Sequence, residues 1–245
     1  MRTRPIPALL ALLAIAFPAG PACAWMNPYV RAAYGANQLK MDAVNDNLHD
    51  TENTIQEMGY PAKFQNVAPA YGPHASAGLW LVPGLRVGAT YDYQRSTRTN
   101  RVHVPGSFFY QDDLDLRMRE LGIEAAFRMP HLYGLLIGGG IAHSDAKAIE
   151  GTGTDSYSGP TGLDMTATGT GKTYNVFVGL EQTNPTHFVG FLRLGYRHRE
   201  MGHMNSSGTF WDGVNTTPVS AQTANLDYSG IYAMVGMGYD LTYGR

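Results

Sequence analysis

Cysteine is almost missing from this chain: among 245 residues only Cys23 carries a thiol. Disulfide frameworks and thiolate metal sites need several such residues and are excluded. Charge is scarce too, at 16% of residues, and a formal balance of −2 offers no basic field to gather phosphates, so nucleic acid is not an expected partner. Long apolar runs are also wanting. The one candidate, residues 8–17, has about half of the roughly 20 residues that a helical membrane span needs. It follows Arg2 and Arg4 and precedes the small-x-small site Ala22-Cys23-Ala24, so residues 1–24 read as a secretory signal peptide. An acylated Cys23 would call for leucine three positions earlier, where Gly20 stands. In the remaining residues, 25–245, any membrane insertion must use strands. That portion has 16 Lys and Arg against 20 Asp and Glu.

What the chain has in quantity is glycine, tyrosine and alternation with a period of two. Ile231, Ala233, Val235, Met237, Tyr239, Leu241 and Tyr243 are apolar or aromatic, and Gly236, Gly238, Asp240 and Thr242 lie between them. Such a strand has one greasy face and one that tolerates charge. The pattern recurs over residues 27–37, 85–94, 114–128, 133–141, 174–181 and 188–197. Residues 71–82 form a further strand whose phase is open, because Ala77, Leu79 and Leu81 compete with Trp80 and Val82 for one face. In residues 114–128 the apolar set shifts from Leu114, Leu116 and Met118 to Leu121, Ile123, Ala125 and Phe127, which predicts a bulge near Arg119-Glu120.

Short turns at Pro83-Gly84, 129–132 and 183–186 alternate with four long connections, three of them the polar stretches 96–113, 147–169 and 201–222. In the first connection Met41, Val44, Leu48, Ile55 and Met58 recur at helical spacing, which predicts an amphipathic helix over about 41–58, in a loop that packs on itself. The expected fold is all-β: an eight-stranded antiparallel up-and-down transmembrane barrel with a short helix in its first long loop.

A water-soluble barrel would also alternate, so the distribution of charge has to decide. Arg31, Arg86, Asp92, Glu124, Arg128, Glu181, Arg193, Arg197 and Asp240 all fall opposite the apolar set. An arginine facing lipid at mid-bilayer costs about 2–4 kcal/mol, so a membrane barrel must sort its charges in this way. The polar face is otherwise rich in small residues, as a narrow lumen needs. Its arginines and carboxylates are expected to pair, Arg31 with Asp240 among them, because closure makes the first and last strands neighbours. Tyr34, Tyr91, Tyr93, Tyr133, Tyr174, Tyr196, Tyr239 and Tyr243 cluster at the ends of the apolar face as an interfacial belt would.

Motifs for catalysis are sparse. His74-Ala-Ser76 places a base and a nucleophile on one strand face and is loosely similar to the His-Ser pair of outer-membrane lipid A deacylases, with no acidic orienter evident. Gly169-Thr-Gly-Lys-Thr173 lacks the first glycine of a phosphate loop, and His198 and His203 lack the spacing of a helical zinc pair. No catalytic, cofactor-binding or metal residue is expected.

The segment Gly238-x-x-Leu241-x-Tyr243 resembles the C-terminal assembly signal of bacterial outer-membrane barrels, although Gly244-Arg245 follow the aromatic that usually ends it. Together with the leader, the strand count and the loop asymmetry, it makes the chain similar to the OmpA/OmpX/OmpW class of small outer-membrane barrels. That resemblance implies location in the bacterial outer membrane, contact with outer-membrane lipid and lipopolysaccharide, and delivery by the barrel-assembly machinery through the last strand. It implies a non-enzymatic structural or surface-interaction role with a filled polar lumen. The alternatives are a narrow porin-like channel for small or hydrophobic solutes, or a lipid A-modifying enzyme.

Overall fold

Alternation holds along every long segment, and each such segment is a strand. The computed structural model describes residues 27–241, apart from 68, 83, 131, 133, 157, 158 and 224–226; the expected signal peptide and the C-terminal aromatic signal lie outside these. The elements in order are β1 (Asn27–Asn37), α1 (Asp42–Glu57), β2 (Ala70–Val82), β3 (Leu85–Val104), β4 (Phe108–Arg128), β5 (Leu135–Ser156), β6 (Gly159–Thr183), β7 (Phe188–Met201), β8 (Met204–Trp211), β9 (Thr216–Thr223) and β10 (Gly230–Asp240).

Eight of the strands close a ring. β1 to β7 pair consecutively and antiparallel, and β10 pairs with both β7 and β1. Short connections join β2–β3, β4–β5 and β6–β7 at the end where β1 begins and β10 finishes. The β6–β7 turn is set by Asn184, whose Oδ1 accepts the N–H groups of Thr186 (3.0 Å) and Phe188 (2.9 Å).

The far end differs from the loops expected of it. Residues 96–113 and 147–169 are not loops: β3 and β4 stay paired up to Val104 and Phe108, and β5 and β6 up to Ser156 and Gly159. Residues 204–223 form the β8–β9 hairpin, which continues along β6 beyond the last β7 pairing. A polar outer face is what a strand standing in water shows, and the alternation beneath the polar composition went on unbroken.

The bulge expected at Arg119-Glu120 is absent as well. Glu120 sits opposite Asp92 and Ser144 in continuous register. Even-numbered residues of β4 face inward throughout, so Leu114, Leu116 and Met118 are buried inside while Leu121, Ile123 and Phe127 are exposed outside. It is the medium that changes: the greasy residues move from the outer to the inner wall where the strand leaves lipid for water. On β3 the outer wall changes in the same way, with Val87, Ala89, Tyr91 and Tyr93 outward below and Thr97, Thr99 and Arg101 outward above, while its inner wall stays polar through Ser96, Arg98 and Asn100. On β2 the open phase resolves with His74, Ser76 and Trp80 inward and Ala77, Leu79 and Leu81 outward, and the register slips between Trp80 and Val82.

Each ring strand thus presents at least four outward positions that are apolar or glycine towards its turn end. With tilt, that is a band about 25 Å tall, the height of a bilayer's hydrocarbon. Above it the interior is an ordinary core of Leu39, Met41, Leu114, Leu116, Met118, Met201, Met204 and Tyr228. Higher still, Leu48 and Ile55 of α1 cluster with Phe64 and Val102, and Tyr60 and Phe64 stack on Phe108 and Tyr110. The helix packs on the β3–β4 hairpin as well as on its own loop. Inside the band, inward glycines are sockets for large neighbours: a Cβ on Gly138 would lie 2.4 Å from the Phe177 ring, and one on Gly236 2.5 Å from Phe191.

The sorting predicts asymmetric tolerance to charge. In urea unfolding from lipid vesicles, Val235→Arg is expected to lose about 2–4 kcal/mol, whereas Thr97→Arg, outward on β3 but above the band, should be neutral.

Candidate functional site

Strand pleating sends every second side chain of the ring into the bore, and below the apolar core the bore is ionised. At the turn end Glu181 gathers three arginines: Arg86 Nη1 at 2.5 Å, Arg128 Nη2 at 3.5 Å and Arg31 Nη2 at 3.7 Å. Arg31 also donates to Asp240 at 2.6 Å across the β1–β10 closure, and Trp80 Nε1 donates to the same oxygen at 3.4 Å. Mid-bore, Arg193 forks onto both oxygens of Glu124 at 2.9 and 3.1 Å. Its guanidinium lies 4.6 Å from the Phe177 ring centre and 5.0 Å from that of Phe191. Higher up, Arg197 reaches Asp92 (2.6 Å) and Glu120 (3.4 Å). Arg199 donates to Glu120 (2.5 Å), Gln94 (3.1 Å) and the Tyr228 carbonyl (2.7 Å), while Thr173 donates to Glu120 (2.9 Å). Above the apolar core a further buried pair, Arg98 with Asp112, joins β3 to β4.

Most of these contacts join strands that are not neighbours. Arg86 to Glu181 runs from β3 to β6, Arg193 to Glu124 from β7 to β4, and Arg197 to Asp92 from β7 to β3. Each pair is a strut across the bore. Between them Tyr29, Phe177, Phe191, Tyr232 and Met234 fill the remaining space, so the lumen is aromatic as well as ionised. Rings over guanidinium faces add attraction that survives desolvation: Arg197 sits 4.3 Å from the centre of Tyr232, and Arg128 4.6 Å from Trp80.

All nine residues singled out for the lumen lie on the inward face, and they are joined there by Glu120, Arg199, Gln94 and His74, which sequence reasoning did not include. Arg199 continues the parity of Arg193 and Arg197, and Glu120 that of Glu124; continuing the alternation would have found both. Of the candidate belt residues, Tyr34, Tyr174, Tyr196 and Tyr239 are exposed on the outer wall, and Tyr91 and Tyr93 are half-exposed there. Tyr133 and Tyr243 lie outside the described residues.

His74 and Ser76 are buried on the inner face of β2, and Asp92 supplies the acidic partner the sequence did not reveal, 2.9 Å from His74 Nδ1. The same carboxylate is held by Arg197, and the side chains of both His74 and Ser76 face the bore. Among the described residues no group of three or more His, Cys, Asp or Glu is placed to hold a metal ion.

A closed ring of eight antiparallel strands with short turns at one end, extended hairpins at the other, greasy residues outside and paired charges inside is the architecture of a small outer-membrane β-barrel protein. Solved structures of similar fold include Ail, the attachment invasion locus protein of Yersinia pestis, with 14% identity over 89% of this chain and 99% of that one and a TM-score of 0.43. The outer membrane protein OprG from Pseudomonas aeruginosa is also similar, with 11% identity over 89% of this chain and 97% of that one and a TM-score of 0.47. Acinetobacter baumannii CarO has 11% identity over 86% and 96%, with a TM-score of 0.42. No protein-family model matches the chain, and no curated protein does. The barrel assignment rests on the strand ring and the sorting of residues between its two walls.

Breaking a buried pair leaves an uncompensated ion, whereas replacing both partners with apolar groups does not. Glu124→Leu alone is expected to cost about 3–5 kcal/mol, and Glu124→Leu with Arg193→Met should recover most of it. The check is a double-mutant cycle by urea unfolding in vesicles, and additive losses would disprove the coupling.

Proposed function

We propose that this chain is an integral outer-membrane barrel that acts without catalysis, as a structural and surface-interaction protein whose bore stays sealed. The carrying observation is the set of struts between non-adjacent strands, Arg86–Glu181, Arg193–Glu124 and Arg197–Asp92, with aromatic rings packed between them. A solute path would need several desolvated ion pairs to break together, and breaking even one buried pair costs about 3–5 kcal/mol. The core of Leu116, Met118, Met41 and Tyr228 closes the bore a second time above the ionised zone.

The extended hairpins supply the interaction surface. β8 and β9 hold Phe210, Trp211 and Val214 exposed near their shared tip, where side chains of this size are available to a partner outside the cell. Against a lipid A-modifying role stands the inward aim of His74 and Ser76. Delivery to the membrane falls to the barrel-assembly machinery, read from the last strand, and the lipid around the barrel includes lipopolysaccharide in its outer leaflet.

Reconstituted into planar bilayers, the wild-type protein is expected to give no discrete conductance steps. Reproducible unitary openings at moderate voltage would defeat the sealed-bore reading in favour of a narrow channel.

A further inference from the structure

Well above the apolar band the outer face of the extended hairpins stands in water, yet it carries aromatic rings. Register aligns His103, Phe109, Asp155 and Pro160 in one outward row across β3 to β6. The next row down holds Arg101, Gln111, Gly153 and Gly162 and reaches Trp211 on β8. Below that lie Thr99, Asp113, Gly151 and Asp164. Between His103, Ser107, Phe108, Phe109 and Asp155 opens a cavity of about 320 Å³, with the His103 and Phe109 rings edge to face at 6.1 Å.

Beside the cavity the floor is bare backbone. A Cβ on Gly153 would meet nothing within 4 Å; one on Gly162 would lie 3.9 Å from the Trp211 ring, and one on Gly151 3.1 Å from Asp164 Oδ1. Inside the membrane band such glycines are sockets for the protein's own rings, whereas here Trp211 and Asp164 rim a trough and leave Gly153 open. Glycine within a strand has no side chain to pack and marks a place where something approaches the backbone closely. Trp211 is 41% exposed, and Asp155 and Asp164 are exposed as well. Thr99 above all, and also Gln111, donate to Asp113 and hold its carboxyl below the usual range.

We infer that this trough and cavity bind an uncharged oligosaccharide, its sugar rings lying on Phe109 and Trp211 and its hydroxyls donating to Asp155 and Asp164. The inference rests on the surface-interaction reading above and names the class of partner. One face of a sugar ring presents weakly positive C–H groups, which the negative face of an aromatic ring attracts, and the hydroxyls at its rim suit ionised carboxylate acceptors. Phe109 and Trp211 stand on strands three spacings apart, about 14 Å, so they meet different sugars of one glycan. The carboxylates of Asp113, Asp155 and Asp164 outnumber the single guanidinium of Arg101 in these rows, and the surplus repels sulfated or phosphorylated glycans.

The test measures binding of the full chain, extracted from outer membranes in detergent, to immobilised uncharged oligosaccharides of glucose, galactose, mannose and N-acetylglucosamine, with heparin as the sulfated comparison. At least one uncharged oligosaccharide is expected to bind more tightly than heparin. Trp211→Ala, and Gly153→Val, which fills the floor, should each weaken that binding about tenfold. Phe210→Ala, one residue from Trp211 but on the opposite face of β8, should leave it unchanged. Binding to none of the uncharged oligosaccharides, a preference for heparin, wild-type affinity in either site variant, or an equal loss in Phe210→Ala would overturn the site. Intact cells expressing the chain keep the site and the surface reading apart. Extracted protein that binds while cells do not would support the site and defeat the outward placement of the hairpins, whereas extracted protein that shows heat-modifiable migration and binds nothing would defeat the site alone.

Discussion

An ionised group enclosed by eight strands and a bilayer has no water to turn to, and the rest of this structure follows from that constraint. An isolated charge in such a medium is prohibitively costly, so each carboxylate in the bore is surrounded by guanidinium groups. Glu181 takes three, Glu120 two, and Asp92 an arginine and a histidine. Because the bore is narrow, pairing across it and filling it are the same act, and the aromatic rings that pack on the guanidinium faces complete both. The inward glycines serve the same end by giving rings such as Phe177 and Phe191 somewhere to go.

The second organising fact is that a strand here is not one kind of strand from end to end. Within the band it is inverted relative to a soluble protein, greasy outside and ionised inside; beyond the band the exterior of β3 to β6 turns polar and β4 to β6 turn apolar side chains such as Leu114, Leu116, Met118, Ala146, Ala148 and Ala167 inward. One alternation serves both because the backbone does not register the change of medium and only the choice of residue at each face does. The protein is in effect a membrane barrel continued as a soluble sheet, with α1 and its loop packed over the sheet's inner wall.

The ring, its turns and the inward direction of nine charged side chains were legible in the sequence because pleating makes parity a local property. Arg31 and Asp240 could be matched for a special reason: closure sets the first strand against the last. The other partnerships could not be read in that way. Which acid meets Arg193 or Arg197 depends on the height of non-adjacent strands after tilt and stagger, and no spacing along the chain encodes that. Polar composition misled where it concealed parity: Ser96, Arg98 and Asn100 alternate as strictly as Val87 and Ala89 do, yet in a segment that reads as loop. The apparent phase shift at Arg119 misled for the complementary reason, since a change of medium imitates a bulge.

Closure between β1 and β10 has a consequence for how the molecule comes to exist. Hairpins such as β3–β4 join residues close in sequence and can form early, but the seam that holds Arg31 to Asp240 joins positions 209 apart. Until the last strand arrives, one side of the sheet is an open edge and Arg31 lacks its Asp240 partner. No partial length of this chain is a smaller working barrel, so a ribosome stalled before residue 230 yields a product with an unsealed seam rather than a shortened protein.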